Sequence, residues 1–344
     1  MRKHDVKAVL KKVIQYTIDH PYERDYWEKS PALAGILAWG NDADINAIQP
    51  WIDRAVETQT STGFLNYGDP LVYAAGHAPT LTPSATLPSS LGFALLRFYQ
   101  RTGNEEYLAA AKRQMDALMA ANRTREGGFW DRMEGPELWI DYLYMICPFL
   151  ILYGQVTKDN KYIDEAFKQY EVRVKHLVDP EFHLGRHAWC EQPNSYPQST
   201  FWSRGNGWLV TSSVEMLTLC PDHPQSKLVA DTCRNALTAM QKHQDRTGFL
   251  RHILDDPYAQ IEASGTLMYA YAVARGIQLG FVDGNMMESA LRAFNVVVGS
   301  VEPSGAVPGV AVPPGGPGVP FGTTLFGQGF FMLAALALKD KLDI

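Results

Sequence analysis

Six segments of this chain are small and apolar nearly all the way round at helical spacing: Ser30–Trp39, Leu91–Tyr99, Tyr142–Tyr153, Leu209–Leu219, Leu267–Ile277 and Phe330–Leu338. A helix without a polar face has no side to give to water, so each is expected to be buried all round. Between them lie segments with one apolar stripe and one charged face. Leu108, Ala111, Met115, Leu118 and Met119 share a face within 105–121, and Ile163, Ala166, Phe167 and Tyr170 share another further on. Few stretches show the period-two alternation of strands.

The residues leading into the apolar helices recur evenly. Trp27, Pro88, Trp139, Trp202, Glu262 and Thr324 are separated by 61, 51, 63, 60 and 62 residues. Such a step holds two helices and two connections, the mark of a repeated supersecondary unit. Six hairpins, with an opening helix at 4–19 as outer partner of the last, close into an all-α (α/α)6 barrel. Its inner ring is the apolar set and its outer ring the amphipathic set. An open solenoid would use shorter repeats and polar end caps. No linker or shift of composition divides the 344 residues, so 1–344 is expected to be a single (α/α)6-barrel domain.

The connections differ in kind. Those within hairpins are short and turn-like, as at Arg101–Asn104 and Thr157–Asn160. Those leading into inner helices are long and rich in aromatic and polar residues. The longest, 303–323, holds six Pro and six Gly and is expected to be an irregular, ordered wall of a pocket. Parallel inner helices would gather these long segments at one end of the ring, where function is expected.

Composition narrows the partners. A formal net charge of −6, without a run of Lys or Arg, argues against a nucleic-acid partner. An anionic substrate would have to be met locally by a few cations. The opening twenty residues are charged throughout and lack the apolar core of a signal peptide. No apolar run approaches a membrane span. A soluble, cytoplasmic chain without a membrane partner is expected, or an exported one if a leader has been removed. Cys147, Cys190, Cys220 and Cys233 have no C-x-x-C spacing and read as reduced thiols.

Three lead-in segments carry groups capable of chemistry. The first runs from Phe129 to Asp141 and places Asp141 at the start of an apolar helix. A carboxylate there either caps the helix or, with its pKa raised by apolar surroundings, serves as a proton donor. The second combines Arg186–Glu191 with Phe201-Trp-Ser-Arg-Gly-Asn-Gly-Trp208. Two Trp six apart with Arg204 between them read either as an aromatic platform beside a cation or as a tight turn. In that turn Gly205 and Gly207 would only let backbones approach. His183, His187 and Cys190 lack a second ligand pair, so no metal is expected. The third, Glu262-Ala-Ser-Gly-Thr266, opens the fifth inner helix, with Ser264 or Thr266 as possible caps and Gly265 allowing close packing.

With these segments in place, the chain resembles the unsaturated glucuronyl and rhamnogalacturonyl hydrolases, glycoside hydrolase families 88 and 105. The resemblance rests on Trp139-Ile-Asp141, His187-Ala-Trp189, Phe201–Trp208 and Glu262–Thr266, in order and spacing over roughly 25–338. Trp-x-Arg-x-Asn-Gly-Trp is its most specific element, and family 105 fits better than family 88. The resemblance implies an (α/α)6 barrel, no cofactor, and an oligosaccharide substrate ending in a 4,5-unsaturated uronic acid. It implies Asp141 as proton donor and then base, with Trp139, His187, Trp202, Arg204, Trp208 and Thr266 binding substrate. Arg204 would meet the uronate carboxylate, and Trp208 would either stack or pack beneath.

One departure stands out. The family usually has a second Asp shortly before the Gly that opens the second inner helix, but Ser84–Gly92 contains no acid. A glycan-binding protein with altered catalysis, or a sugar epimerase or isomerase on the same ring, are the alternative readings. The epimerase would need a second His facing His187.

Overall fold

Glycine, asparagine and aspartate at the predicted turns end and restart the helices. Gly103 takes the left-handed conformation (φ 69°) that closes one helix, and the Asn104 side chain accepts the N–H of Glu106 to open the next. Lys158 and Asp159 do the same at the predicted turn Thr157–Asn160. The structure, a computed structural model, describes residues 5–21, 27–65, 84–313, 318–342 and 344.

Twelve α-helices are present among the described residues, six of them inner: α2 (Lys29–Trp39), α4 (Ser89–Thr102), α6 (Tyr142–Thr157), α8 (Ser203–Leu219), α10 (Ala263–Gln278) and α12 (Leu325–Leu342). Each packs on the next, and α12 packs on α2, which closes the ring. The outer helices are α1 (Val6–Asp19), α3 (Asp42–Glu57), α5 (Glu105–Met119), α7 (Asn160–Leu177), α9 (Ser226–Lys242) and α11 (Met287–Val298). Each outer helix lies against its inner neighbour, and α1 lies against α12 as the (α/α)6 barrel requires.

Burial follows the two patterns. Every residue of α6 from Tyr142 to Gly154 is buried. In α5 only the stripe Tyr107, Ala110, Ala111, Gln114, Met115 and Leu118 is buried, at the three- and four-residue steps of one helical face.

Helix α8 begins at Ser203 and α10 at Ala263, directly after the lead-in residues Trp202 and Glu262, so the Gly- and Ser-rich motifs form their first helical turns. Gly207 and Gly265 let α8 and α10 approach closely, Gly207 facing Met268 and Gly265 facing Ser203. A Cβ on Gly265 would lie 2.0 Å from Ser203 Oγ and 2.9 Å from Ser203 C, so α10 meets α8 there without a side chain between them.

The long lead-ins carry the strands. A three-stranded antiparallel sheet joins β1 (Glu137–Trp139), β2 (Ala188–Cys190) and β3 (Ser195–Gln198) in that order. Two small hairpins pair β4 (Leu250–Arg251) with β5 (Ile261–Glu262) and β6 (Val310–Ala311) with β7 (Phe321–Gly322). The expected irregular segment 303–323 therefore contains a hairpin, while its residues 314–317 lie outside the described residues. These lead-ins bond to one another, Ile253 to Trp202 and Ala263 N–H to the Gly309 carbonyl, and form one face of the ring.

Candidate active site

The register of β1 on β2 assembles the centre of this face. Trp139 pairs with Ala188, and the next residue, Ile140, donates its N–H to the carbonyl of His187 at 3.0 Å. Asp141 and His187 are thereby set across from each other. Oδ2 of Asp141 lies 3.1 Å from Nε2 of His187, within ion-pair reach but without a formed hydrogen bond. Asp141 occupies the N-cap position of α6, yet its side chain makes no capping bond. Its carboxyl is left for other work.

Aromatic rings frame the pair. The His187 ring stands edge-on to Trp139, centroids 4.8 Å apart, and 4.5 Å from Trp202. The Arg204 guanidinium lies between Trp202 and Phe326, at 4.3 and 4.8 Å from their centroids. Its Nη1 donates to the carbonyl of Ala311 and lies 4.0 Å from the Glu262 carboxylate. Nε is buried without a partner. Burial pulls the guanidinium below its ordinary pKa, and Glu262, Asp141 and Glu28 oppose that pull.

Trp27, Leu87, Trp139, Asp141, Tyr142, Met145, His187, Trp202, Arg204 and Pro313 line one cavity of about 50 Å³. Buried polar atoms without partners collect around it: Asp141 Oδ2, His187 Nδ1, Trp202 Nε1 and Arg204 Nε. Such atoms are costly to leave unpaired, and four around one cavity mark groups kept for a ligand. Among the described residues, Asp141 is the one carboxylate in that lining, and His187 the one histidine.

A larger cavity of about 300 Å³ lies elsewhere, between all six inner helices, with Glu215, Tyr271 and Arg97 among its walls. The motif residues do not open onto it, and the Glu215 carboxylate already accepts the Tyr271 hydroxyl. The motif residues gather at the smaller cavity.

Five of the seven residues singled out in the sequence meet there: Trp139, Asp141, His187, Trp202 and Arg204. Two do not. Trp208 is fully buried beneath the site against Tyr144 and Phe330, at 4.9 and 5.4 Å between centroids, so it packs under the pocket instead of stacking on a substrate. Thr266 is also fully buried and is occupied within the fold. It donates to the carbonyl of Glu262 and accepts the N–H of Leu250. The cap of α10 is neither Thr266 nor Ser264 but Glu262, whose carboxylate accepts the Gly265 N–H at 2.6 Å.

Pro313 brings the segment 303–323 into the cavity wall as expected, while the sequence reading missed Leu87, Tyr142 and Met145 as lining residues, and Phe326 as the second ring over Arg204. Trp27 marked a lead-in, and only its aromatic side chain hinted at a pocket role. The stretch without the family's second acid contributes Leu87 to the wall. Among the described residues no group of three or more His, Cys, Asp or Glu side chains is placed to hold a metal ion.

Comparison with known proteins places the chain among sugar hydrolases. Residues 7–340 match the profile of Glycosyl Hydrolase Family 88. An unsaturated rhamnogalacturonyl hydrolase of Bacillus subtilis is 25% identical over 280 residues, 78% of this chain and 75% of that one. An unsaturated 3S-rhamnoglycuronyl hydrolase of Formosa agariphila is 31% identical over 167 residues, 45% of this chain and 44% of that one. Among solved structures, a family 105 glycoside hydrolase of C. acetobutylicum superposes with a TM-score of 0.82 at 22% identity, covering 98% of this chain and 99% of that one.

Proposed function

The chain belongs to glycosyl hydrolase family 88, and from that premise we propose that it removes the terminal 4,5-unsaturated uronic acid from oligosaccharides left by a polysaccharide lyase, with Asp141 as its proton donor. The observation that carries the reading is Asp141, the one carboxylate among the described residues that line the cavity, beside His187 and an uncommitted Arg204 edge. Ordinary retaining or inverting glycosidases need two carboxyl groups flanking the bond, about 5–5.5 or 6.5–9.5 Å apart. Hydration of a vinyl ether needs one acid that afterwards serves as a base.

In that reaction Asp141 gives its proton to C4 of the unsaturated sugar, and positive charge develops at C5 and the ring oxygen. Water adds to C5 and returns a proton to the Asp141 carboxylate. The hemiketal at C5 opens, and the hemiacetal so exposed at C1 expels the remaining oligosaccharide as an alcohol. Arg204 meets the uronate carboxylate through its free Nε edge, a planar fork matched to two carboxylate oxygens. His187 sets the side chain of Asp141, and Trp139 and Trp202 shield the site and offer ring faces. The substrates named for the two relatives, rhamnogalacturonyl and rhamnoglycuronyl units, give the class of sugar to try first.

Leu87 favours one second reading, a glycan-binding protein with altered catalysis, because it stands in the stretch where the family usually supplies another acid. Incubation with an unsaturated uronyl disaccharide decides between them. Loss of the absorbance of the C4=C5 bond is the expected result, and binding without that loss would establish the second reading. Among the described residues no helix is long and apolar enough to cross a membrane.

A further inference from the structure

β1 is the edge of its sheet, so the N–H of Trp139 has no neighbouring strand to bond. Buried backbone donators of this kind need an acceptor. Asp131 supplies it: Oδ2 accepts the Trp139 N–H at 2.8 Å, and the Asp131 N–H donates to the Glu137 carbonyl at 3.0 Å. One residue thus closes both ends of the strand that delivers Asp141 two positions later.

Oδ1 of the same carboxylate receives Nη2 of Arg173, on α7, at 2.7 Å, and both side chains are fully buried. Arg173 also donates to the Phe129 carbonyl at 3.1 Å and to Gln169 at 2.6 Å. Gln169 in turn holds the Phe129 N–H and the Gly127 carbonyl. The lead-in from Gly127 to Trp139 is therefore tied to α7 through this set of polar contacts, and at Gly127 also through Arg123, which pairs with Glu165. A buried ion pair adds little net stability, because desolvating two charges offsets most of their attraction. What it can supply is a fixed place.

We propose that the buried Asp131–Arg173 pair positions the proton donor, anchoring Trp139 to α7 and so holding Asp141 at its distance from His187. The proposal rests on the assignment of Asp141 given above. Neither Asp131 nor Arg173 lines the cavity. Both are positioning residues that act through the backbone of Trp139.

Asp131→Asn and Arg173→Gln, measured as folded protein on an unsaturated uronyl disaccharide, test it. Each is expected to lower kcat by about 10²-fold, the scale of a misplacement near 1 Å, with KM moving by less than about threefold. The double variant should be no slower than the slower single one, since the pair acts as a unit. If Asp131→Asn does not fold, Arg173→Lys, which keeps a cation in the core but loses the fork, is expected to show the same split. A second readout needs no substrate. The Trp139 ring stands edge-on to His187, so the ring-current shifts of the His187 ring protons in NMR report where the end of β1 lies. These shifts should change in Asp131→Asn. Wild-type shifts with unchanged kcat per folded molecule, whatever happens to Tm, would overturn the proposal. A wild-type protein inert on every such disaccharide would sink the functional assignment instead, and the His187 shifts would then decide this proposal alone.

Discussion

Asp141 stands at the N-cap of α6, yet its carboxylate lies 3.1 Å from Nε2 of His187 and caps none of the helix's own N–H groups. The two roles open to an acid at a helix start are thus separated by geometry. A capping carboxylate would be spent on the backbone, whereas this one faces a cavity.

Asp141→Asn follows from that relationship. Asn keeps the size of the side chain and removes the proton. General acid–base groups contribute ~10²–10⁴-fold, so kcat should fall by at least that order while KM changes little. Thermal stability should hardly move, because no cap is lost. Near-normal turnover on an unsaturated uronyl disaccharide would refute the catalytic assignment.

Arg204→Lys separates binding from chemistry. Lys keeps the charge but cannot form the planar two-point contact with a carboxylate. KM for the uronyl substrate should rise about tenfold, the loss of roughly one charge-assisted hydrogen bond. The methyl ester of the same sugar should show a much smaller change. Equal effects on acid and ester would show that Arg204 does not meet the carboxylate.

The pH dependence of stability reports on Asp131. Burial pushes its carboxyl from 3.8 up to about 6, although Arg173, the Trp139 N–H and Thr86 all pull it down. The folded state therefore holds the proton more readily than the unfolded chain. The resulting stability is present below about 3.8 and is lost as pH rises through about 6. Wild-type Tm should accordingly decline relative to that of Asp131→Asn across this window. A flat difference would show that the carboxyl is not held in a desolvated place.

Gly265→Ala tests the packing that sets the Glu262 carboxylate 4.0 Å from Arg204. The new methyl would meet Ser203 Oγ at 2.0 Å and its backbone carbon at 2.9 Å, so α8 and α10 must part. Forced overpacking costs typically ~1–3 kcal/mol, and a denaturant midpoint shift of that size is expected. Gly284→Ala, with nothing within 4 Å, should stay within about 0.5 kcal/mol of wild type. Equal behaviour of the two variants would show that the helices do not depend on that close approach.

The ring was legible in the sequence because burial on all sides is a local property. A segment such as Tyr142–Tyr153, with no polar face, must be enclosed wherever it lies, and its recurrence at nearly constant steps leaves little choice but a closed set of hairpins. Asp141, His187, Trp202 and Arg204 were legible as a candidate site through the resemblance of their motifs to one family, and the structure brings them to one cavity. Only the tertiary structure decided that Trp208 and Thr266 are enclosed by the fold, that Glu262 caps α10 and faces Arg204, and that Asp131 ties the end of β1 to Arg173. Asp131 and Arg173 are 42 residues apart and their partnership leaves no periodic trace in the chain. Hydrophobic pattern tells which face of an element leaves water. Which polar group meets which is set by the packing of helices and lead-ins, where a displacement of an ångström makes or breaks a hydrogen bond.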